Sequence, residues 1–183
     1  MKKPQLEVRE VTADLWSDFK GLLESRGAPK NCWCMVWRGT PKERADKATR
    51  RAGMQDRIRN GTPVGLLGYL GGEPIGWCSV APRRTYRDLG GVKAKPEEEG
   101  AIWSIVCFYV KRDHRGTGLF DQLLKAAVVH ARERGARVVE AYPVDPDSPS
   151  YRFMGFLPAF KSAGFREVKK AGKRRHVVRL EFE

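Results

Sequence analysis

Hydrophobic and polar positions alternate along the chain with two different periods. Apolar residues recur at helical spacing over 15–23 and again over 119–131. Two short apolar runs, 64–70 and 75–80, are separated by a Gly-Gly turn, which is typical of an antiparallel hairpin. The mixture of the two patterns predicts an α/β protein.

The periodicity predicts the element order β-α-α-β-β-β-α-β-α-β-β. The second helix is expected to begin at Thr40, because a proline follows it and Glu43 stands where a capping box requires it. The polar stretch 82–100 is expected to be a long mobile connection. Strands are predicted at 5–11, 64–70, 75–80, 101–110, 137–142, 165–168 and 177–182, and helices at 15–23, 40–59, 119–134 and 148–163.

The segment 110–120 joins an apolar strand to an amphipathic helix through a short basic turn. Gly116 and Gly118 allow backbone N–H groups to converge there, and the start of the next helix adds unpaired N–H donors. Arg115 supplies a planar cation that can pair with phosphate oxygens at two points. The turn is therefore expected to hold an anion, most simply a phosphorylated cofactor.

The composition is that of one ordinary globular domain over residues 1–183, with 41% hydrophobic and 31% charged residues. No apolar run approaches membrane-spanning length, and the first residues lack a signal-peptide pattern, so a cytoplasmic location is expected. In that setting the four cysteines are expected to be free thiols.

The chain carries 35 Lys and Arg against 22 Asp and Glu, a net charge of +13. This balance favours polyanionic ligands, which admits nucleic acid and equally suits a nucleotide-like cofactor. It argues against polyamine or aminoglycoside acceptors unless a local acidic patch, such as 97–99, attracts them.

Two motifs carry a resemblance to a known family. Residues 108–119 read FYVKRDHRGTGL, which resembles the acyl-coenzyme A signature of the GNAT superfamily of N-acyltransferases, with Arg115 and Gly118 in its first two positions. Residues 160–165, FKSAGF, resemble the family's aromatic-x-x-x-Gly-Phe segment. Phe120 departs from the glycine or alanine usual at the end of the signature. The resemblance implies a GNAT-type fold with a central mixed sheet flanked by helices.

The resemblance also implies where acetyl-CoA binds. The backbone of Phe108 and Val110 is expected to pair with the pantetheine arm, and the turn amides are expected to hold the pyrophosphate. The residues of this expected cradle are Arg115, Gly116, Thr117, Gly118, Leu119 and Phe120. Proteins of this type are often dimers, so a homodimer is possible.

The usual acid and base are replaced in this sequence. Phe160 stands where many relatives have a tyrosine acid, so Tyr142 and Tyr151 are the candidate substitutes, with Ser150, water or the product ammonium as alternatives. Ser104 stands where a glutamate base is common. Glu140 is the best substitute for the base, unless it is a strand-end carboxylate paired with an arginine.

The segment 31–38, NCWCMVWR, corresponds to the acceptor-side wall of the family fold. Trp33 and Trp37, together with Ser104, are expected to contact the acceptor, although a hydrophobic plug over the core explains the segment equally well. Cys-x-Cys is half of a metal site, but no second Cys/His cluster completes it, so no metal is expected.

The resemblance implies an N-acetyltransferase that moves an acetyl or short acyl group directly from acetyl-CoA to an amine of a small molecule or peptide. Two alternatives remain. One is a catalytically weak acyl-CoA sensor, suggested by Phe160, and the other is a basic module that binds nucleic acid, although aromatic nucleic-acid signatures are missing.

Overall fold

The computed structural model describes residues 3–183, in which one sheet carries all seven strands. The strands are β1 Glu7–Glu10, β2 Gly65–Leu70, β3 Glu73–Pro82, β4 Ile102–Val110, β5 Val138–Ala141, β6 Arg166–Ala171 and β7 Arg175–Glu181. The helices are α1 Trp16–Glu24, α2 Lys47–Arg59, α3 Pro96–Glu99, α4 Leu119–Glu133 and α5 Leu157–Ser162. No helix in this part of the chain has the length and apolar character needed to cross a bilayer.

The sheet is mixed, with the strand order β1-β2-β3-β4-β5-β7-β6. The first four strands form an antiparallel meander, and β4 pairs in parallel with β5 through the α4 crossover. The hairpin of β6 and β7 adds to the far side through β7. The predicted central mixed sheet flanked by helices is confirmed, and so is its βαβ unit.

Helices cover both faces of the sheet. Neighbouring residues of β2 point to opposite faces, so Leu66 joins a core with α4 and α5 while Leu67 joins a second core with α1 and α2. The first core includes Leu123 of α4 and Phe160 of α5, and the second is built around aromatic residues such as Trp77. Both faces of β4 are buried, as its unbroken apolar run predicts.

The second helix begins at Lys47, seven residues later than predicted from Thr40. The predicted reciprocal bonds do form, since Thr40 N–H donates to Glu43 Oε2 at 2.8 Å and Glu43 N–H donates to Thr40 Oγ1 at 3.3 Å. The chain then turns, and Asp46 caps the helix by accepting a hydrogen bond from Thr49 N–H at 2.8 Å. The capping chemistry was identified correctly, but it closes a turn instead of starting a helix.

The prediction of a helix over residues 148–163 is mostly wrong. Its first half contains only a 3-10 turn at Arg152–Met154, followed by Gly155 with a φ of 88°. The α-helix itself is α5, with Pro158 in its first turn, where a missing N–H costs nothing.

The connection 83–100 is tied to the sheet. Arg83 pairs with Glu99 of α3 and, at 3.0 Å, with Glu140 of β5. These contacts anchor both ends of the segment, which was predicted to be a mobile loop.

Candidate active site

A break in strand pairing opens a cleft beside the central strand. β4 pairs with β5 only over Ile102–Ile105, although β4 continues to Val110. On its other side the register with β3 shifts between Ser79 and Val80, which makes Val106 an extra residue on β4. From this bulge onward, among residues 3–183, β4 has a strand partner on one side only.

The alternation of the antiparallel ladder determines which backbone groups face the cleft. Lys111 N–H donates to Ile75 O at 2.8 Å, so the backbone N–H and C=O groups of the odd-numbered residues in this stretch point toward β3. The N–H and C=O groups of Phe108 and Val110 therefore point toward the open side. These are the two residues expected to pair with the pantetheine arm, and their geometry is suited to that role.

The turn after β4 has the conformation that its glycines predict. Gly116 has a φ of 73°, and Gly118, the residue before the first turn of α4, has a φ of 82°. Arg115 folds back over the strand end, with its Nε donating to Val110 O at 2.9 Å. The turn thus brings a guanidinium and the N-terminus of a 15-residue helix to the mouth of the cleft.

One cavity of about 1120 Å³ follows β4 from this turn to the 31–38 segment. Six of the eight predicted cofactor residues line it: Phe108, Val110, Arg115, Gly116, Gly118 and Phe120. Thr117 and Leu119 do not. The Thr117 hydroxyl donates to His114 O at 2.6 Å, and the Leu119 side chain is buried in the core beneath α4.

Phe120, the departure from the signature, turns its ring toward β4. Its centroid lies 4.4 Å from that of Phe108 and 6.4 Å from that of Phe160. Phe160 is fully buried in the same cluster, and a Cβ at Gly155 would lie 2.7 Å from its ring. The position of the usual acid is therefore a packed aromatic core.

Glu140, the predicted base, is fully buried and engaged on every side. It accepts hydrogen bonds from Arg83 Nη1 at 3.0 Å, Arg179 Nε at 2.7 Å, Val92 N–H at 3.2 Å and the Tyr142 hydroxyl at 2.8 Å. A carboxylate shared by two guanidinium groups has no oxygen lone pair directed at the cavity. The geometry argues against the base assignment and supports the alternative of a carboxylate paired with arginine.

Tyr142 and Ser104 belong to the same buried network. Their oxygens lie 2.8 Å apart, both residues are 0% exposed, and neither lines the cavity. Burial and the neighbouring Glu140 raise the pKa of Tyr142 well above its ordinary value. Tyr142 is thus poorly placed as an acid, and Ser104 is out of reach of an acceptor. Tyr151 does line the cavity, with its ring 5.4 Å from the Arg175 guanidinium.

The two tryptophans of the 31–38 segment have different environments. Trp33 is fully buried and stacks on Trp16 with centroids 5.9 Å apart, so it belongs to the hydrophobic core and its predicted acceptor contact is not supported. Trp37 lines the cavity and has two guanidinium groups near its ring, Arg175 at 4.8 Å and Arg87 at 6.0 Å from the ring centroid. The plug interpretation therefore fits Trp33, and the wall interpretation fits the position of Trp37.

Two thiols that the sequence did not predict to be neighbours lie together in the cavity wall. Cys34 and Cys107 both line the cavity, with their Sγ atoms 3.8 Å apart, and Trp77 Nε1 donates to Cys34 Sγ at 3.0 Å. Because side chains alternate along β4, Cys107 lies on the same face of the sheet as Tyr109, toward α1 and α2. This alternation was the one signal in the sequence that could have placed Cys107 near the 31–38 segment. Among residues 3–183 no cluster of three metal-ligating side chains exists.

Arg38, the last residue of the same segment, places a buried positive charge behind this end of the cavity. The residue is 5% exposed and donates only to neutral oxygens. These are Cys34 O at 2.9 Å, Val64 O at 2.6 Å, Ser79 Oγ at 2.8 Å and Tyr86 Oη at 3.0 Å. Since Ser79 itself lines the cavity, the charge lies one side chain away from the cavity wall.

Sequence comparisons identify relatives of this chain. Residues 30–156 match the family model described as Acetyltransferase (GNAT) family. The chain is 30% identical over 125 residues to an L-methionine sulfoximine/L-methionine sulfone acetyltransferase of Pseudomonas aeruginosa. That alignment covers 68% of this chain and 64% of the relative, so the chain spans just under two-thirds of that protein.

Solved structures share the fold at lower identity. The GNAT domain of S. lividans PAT has a TM-score of 0.59 and 22% identity, with 97% of this chain and 90% of that chain covered. AAC(6')-Ib in complex with ribostamycin and coenzyme A has a TM-score of 0.62 and 16% identity, with 97% and 93% covered. Because the family model covers well over half of the sequence, the chain belongs to the GNAT family of acetyltransferases.

Proposed function

We propose that the protein transfers an acetyl group from acetyl-CoA to the amino group of a small amino-acid-like acceptor. The observation that carries this proposal is the continuous cavity along β4. One end is the glycine turn with its helix N-terminus, and the other is the 31–38 segment with its buried arginine. A donor thioester and an acceptor amine can therefore meet beside the Val106 bulge.

The cofactor end fits a coenzyme A pyrophosphate and pantetheine. Phe108 and Val110 direct their peptide N–H groups toward the cleft, where a pantetheine carbonyl could accept from them. A Cβ at Gly116 would meet nothing within 4 Å, so the space over the turn is open to an anion. Arg115 supplies the positive charge that such an anion needs.

The acceptor end suits an anionic or zwitterionic amine. Among the described residues, Asp121 at the start of α4 is the single carboxylate in the cavity lining. The charge of Arg38 lies behind the opposite end. An α-carboxylate is stabilised by such surroundings, whereas a polyamine or aminoglycoside is repelled. The relative from Pseudomonas is named for two amino acid derivatives, which is consistent with this class of acceptor.

The chain's own groups position and polarise the reactants. Direct transfer forms the new C–N bond and breaks the C–S bond, and the departing thiolate takes up a proton. The peptide N–H groups near the Val106 bulge are positioned to polarise a carbonyl in the cleft. Of the two tyrosines predicted as proton donors, Tyr151 is the one that lines the cavity, with water or the product ammonium as alternatives.

Product detection by mass spectrometry tests the proposal without interference from the protein's own thiols. Purified protein and acetyl-CoA are incubated with L-methionine sulfone, L-methionine sulfoximine, an aminoglycoside or a lysine-containing peptide. We expect N-acetylated product from the amino acid derivatives and none from the aminoglycoside. Acetylation of the aminoglycoside alone would contradict the acceptor class.

An acyl-CoA-binding protein without turnover is the second candidate, and the burial of Phe160 favours it. Titration calorimetry with acetyl-CoA separates the two functions. Binding without acetylated product across the panel would support the sensor. Absence of binding by the folded protein would exclude both.

A further inference from the structure

We propose that Cys34 and Cys107 are a peroxide-sensitive dithiol that closes to a reversible disulfide in the wall of the ligand cavity. Their Sγ atoms are 3.8 Å apart, and the residues come from distant parts of the chain, the 31–38 segment and β4. A disulfide bond of about 2.05 Å requires the two sulfurs to approach by less than about 2 Å, within the range of side-chain rotation.

The surroundings of the pair distinguish the two thiols. Trp77 Nε1 donates to Cys34 Sγ at 3.0 Å, and Arg38 donates to the Cys34 carbonyl at 2.9 Å. The hydrogen bond between the two thiols, outweighing the opposite effect of burial, lowers the pKa of Cys34, and Arg38 and Trp77 lower it further. Cys34 is therefore the nucleophile and Cys107 the resolving thiol.

Access to the pair is through the cavity. Cys34 is 7% exposed, Cys107 is partly buried, and both line the cavity wall. A small hydroperoxide entering the cavity reaches them, whereas acetyl-CoA, bound as the proposed function requires, would cover the same stretch of β4. Trp33 and Cys34 both have φ near 50° (49° and 53°), so the backbone that presents Cys34 is held in an uncommon conformation by its packing.

The chemistry balances with a hydroperoxide as oxidant. The Cys34 thiol gives up its proton, its thiolate attacks one peroxide oxygen and the O–O bond breaks, giving Cys34 sulfenic acid and an alkoxide, or hydroxide from hydrogen peroxide. The leaving oxygen takes up the proton that Cys34 released and departs as alcohol or water. The Cys107 sulfur then attacks the Cys34 sulfur. The S–O bond breaks, hydroxide leaves and takes up the Cys107 proton as water. Two thiols are oxidised to one disulfide and one peroxide is reduced.

The test uses the full reduced chain and hydrogen peroxide, with and without saturating acetyl-CoA. We expect the count of free thiols after denaturation to fall from four to two and to return to four with dithiothreitol. Non-reducing peptide mapping of the wild type is expected to show the Cys34–Cys107 linkage. Saturating acetyl-CoA is expected to slow the loss of free thiols at least severalfold.

Variants supply the matched comparison. Cys34→Ser and Cys107→Ser should form no intramolecular disulfide, whereas Cys32→Ser, which changes another thiol of the same cavity wall, should behave like the wild type. A wild type that keeps four thiols, or one that links a different pair, would overturn the proposal. Disulfide formation unaffected by acetyl-CoA would refute the cavity route and count against the proposed function, while the linkage itself would stand.

Discussion

The buried carboxylate of Glu140 makes the sharpest test of a structural against a catalytic role. Glu140→Gln keeps the shape of the side chain and removes its charge, which leaves Arg83 and Arg179 to share a neutral oxygen. Removing one partner of a buried ion pair destabilises a protein by about 3–5 kcal/mol. For a chain of this length that corresponds to a fall in Tm of roughly 6–20 °C.

The two arginines differ in the partners that they keep when the Glu140 charge is removed. Arg83 keeps Glu99 as a partner, whereas among residues 3–183 Arg179 keeps only the carbonyl of Val92, at 3.5 Å. The site also has little room for a compensating water, because a Cβ at Gly91 would lie 1.9 Å from Glu140 Oε1. The loss of stability in Glu140→Gln is therefore expected to be substantial in spite of the remaining Arg83–Glu99 pair.

Thermal and urea unfolding measure the effect, and Glu181→Gln on β7 is the matched control. Glu181 is 56% exposed and lies 3.6 Å from Arg166, so its loss should cost less than about 1 kcal/mol. A Glu140→Gln protein with Tm within about 2 °C of the wild type would refute the buried-pair reasoning. If that protein were also inactive, the original base assignment would be restored.

Three further predictions concern the cofactor turn, the aromatic cluster and acid stability. Arg115→Ala should weaken acetyl-CoA binding about tenfold to a hundredfold in calorimetry, because a charged hydrogen bond is worth about 1.5–3 kcal/mol, whereas Arg112→Ala, outside the cavity lining, should not. Phe160→Tyr should lower stability by about 1–3 kcal/mol in urea unfolding without raising activity, because its hydroxyl enters an apolar core; a gain in turnover would contradict this. The hydrogen bond from Arg57 lowers the pKa of Glu43 to about 2 from 4.5, so this pair stabilises the fold above pH 4.5 and the stabilisation is lost as pH falls toward 2. Glu43→Gln should flatten that part of the curve of unfolding free energy against pH, and an unchanged slope would count against the pair.

Local patterns were sufficient for the fold and for the conformation of the glycine turn after β4. The apolar run of β4, the glycine turn and the α4 stripe are contiguous in sequence, and their structure follows from their own periodicity. The helix start at Thr40 failed for the opposite reason. Its two capping bonds are local and correct, but whether a helix follows depends on tertiary packing, which begins only near Gly53 and Met54.

The surroundings of Glu140 and of Cys34 depend on long-range pairing that composition does not reveal. Nothing near Glu140 in sequence shows that Arg83 and Arg179, 57 and 39 residues away, enclose its carboxylate. Cys34 and Cys107 are 73 residues apart and meet only because the segment after α1 folds over the β4 bulge. For Glu140, residue type suggested a base, with an arginine-paired carboxylate as the alternative, and the structure has the buried ion pair. For Cys34 no metal was expected, but nothing near it in sequence indicated its contact with Cys107.

The position of the buried carboxylate also determines where a proton can go. Ser104 of β4 and Glu140 of β5 are directly paired in register and are joined through the Tyr142 hydroxyl, so the carboxylate lies on the strand next to position 104. A fully buried carboxylate between two guanidinium groups cannot pass a proton to solvent in each turnover. On the proposed function we expect the acceptor amine to lose its proton to water before it attacks, so kcat/KM should rise with pH through the pKa of the acceptor amine. Acceptors with different amine pKa values should give correspondingly displaced profiles, whereas one common midpoint would identify a titrating group of the enzyme as the base.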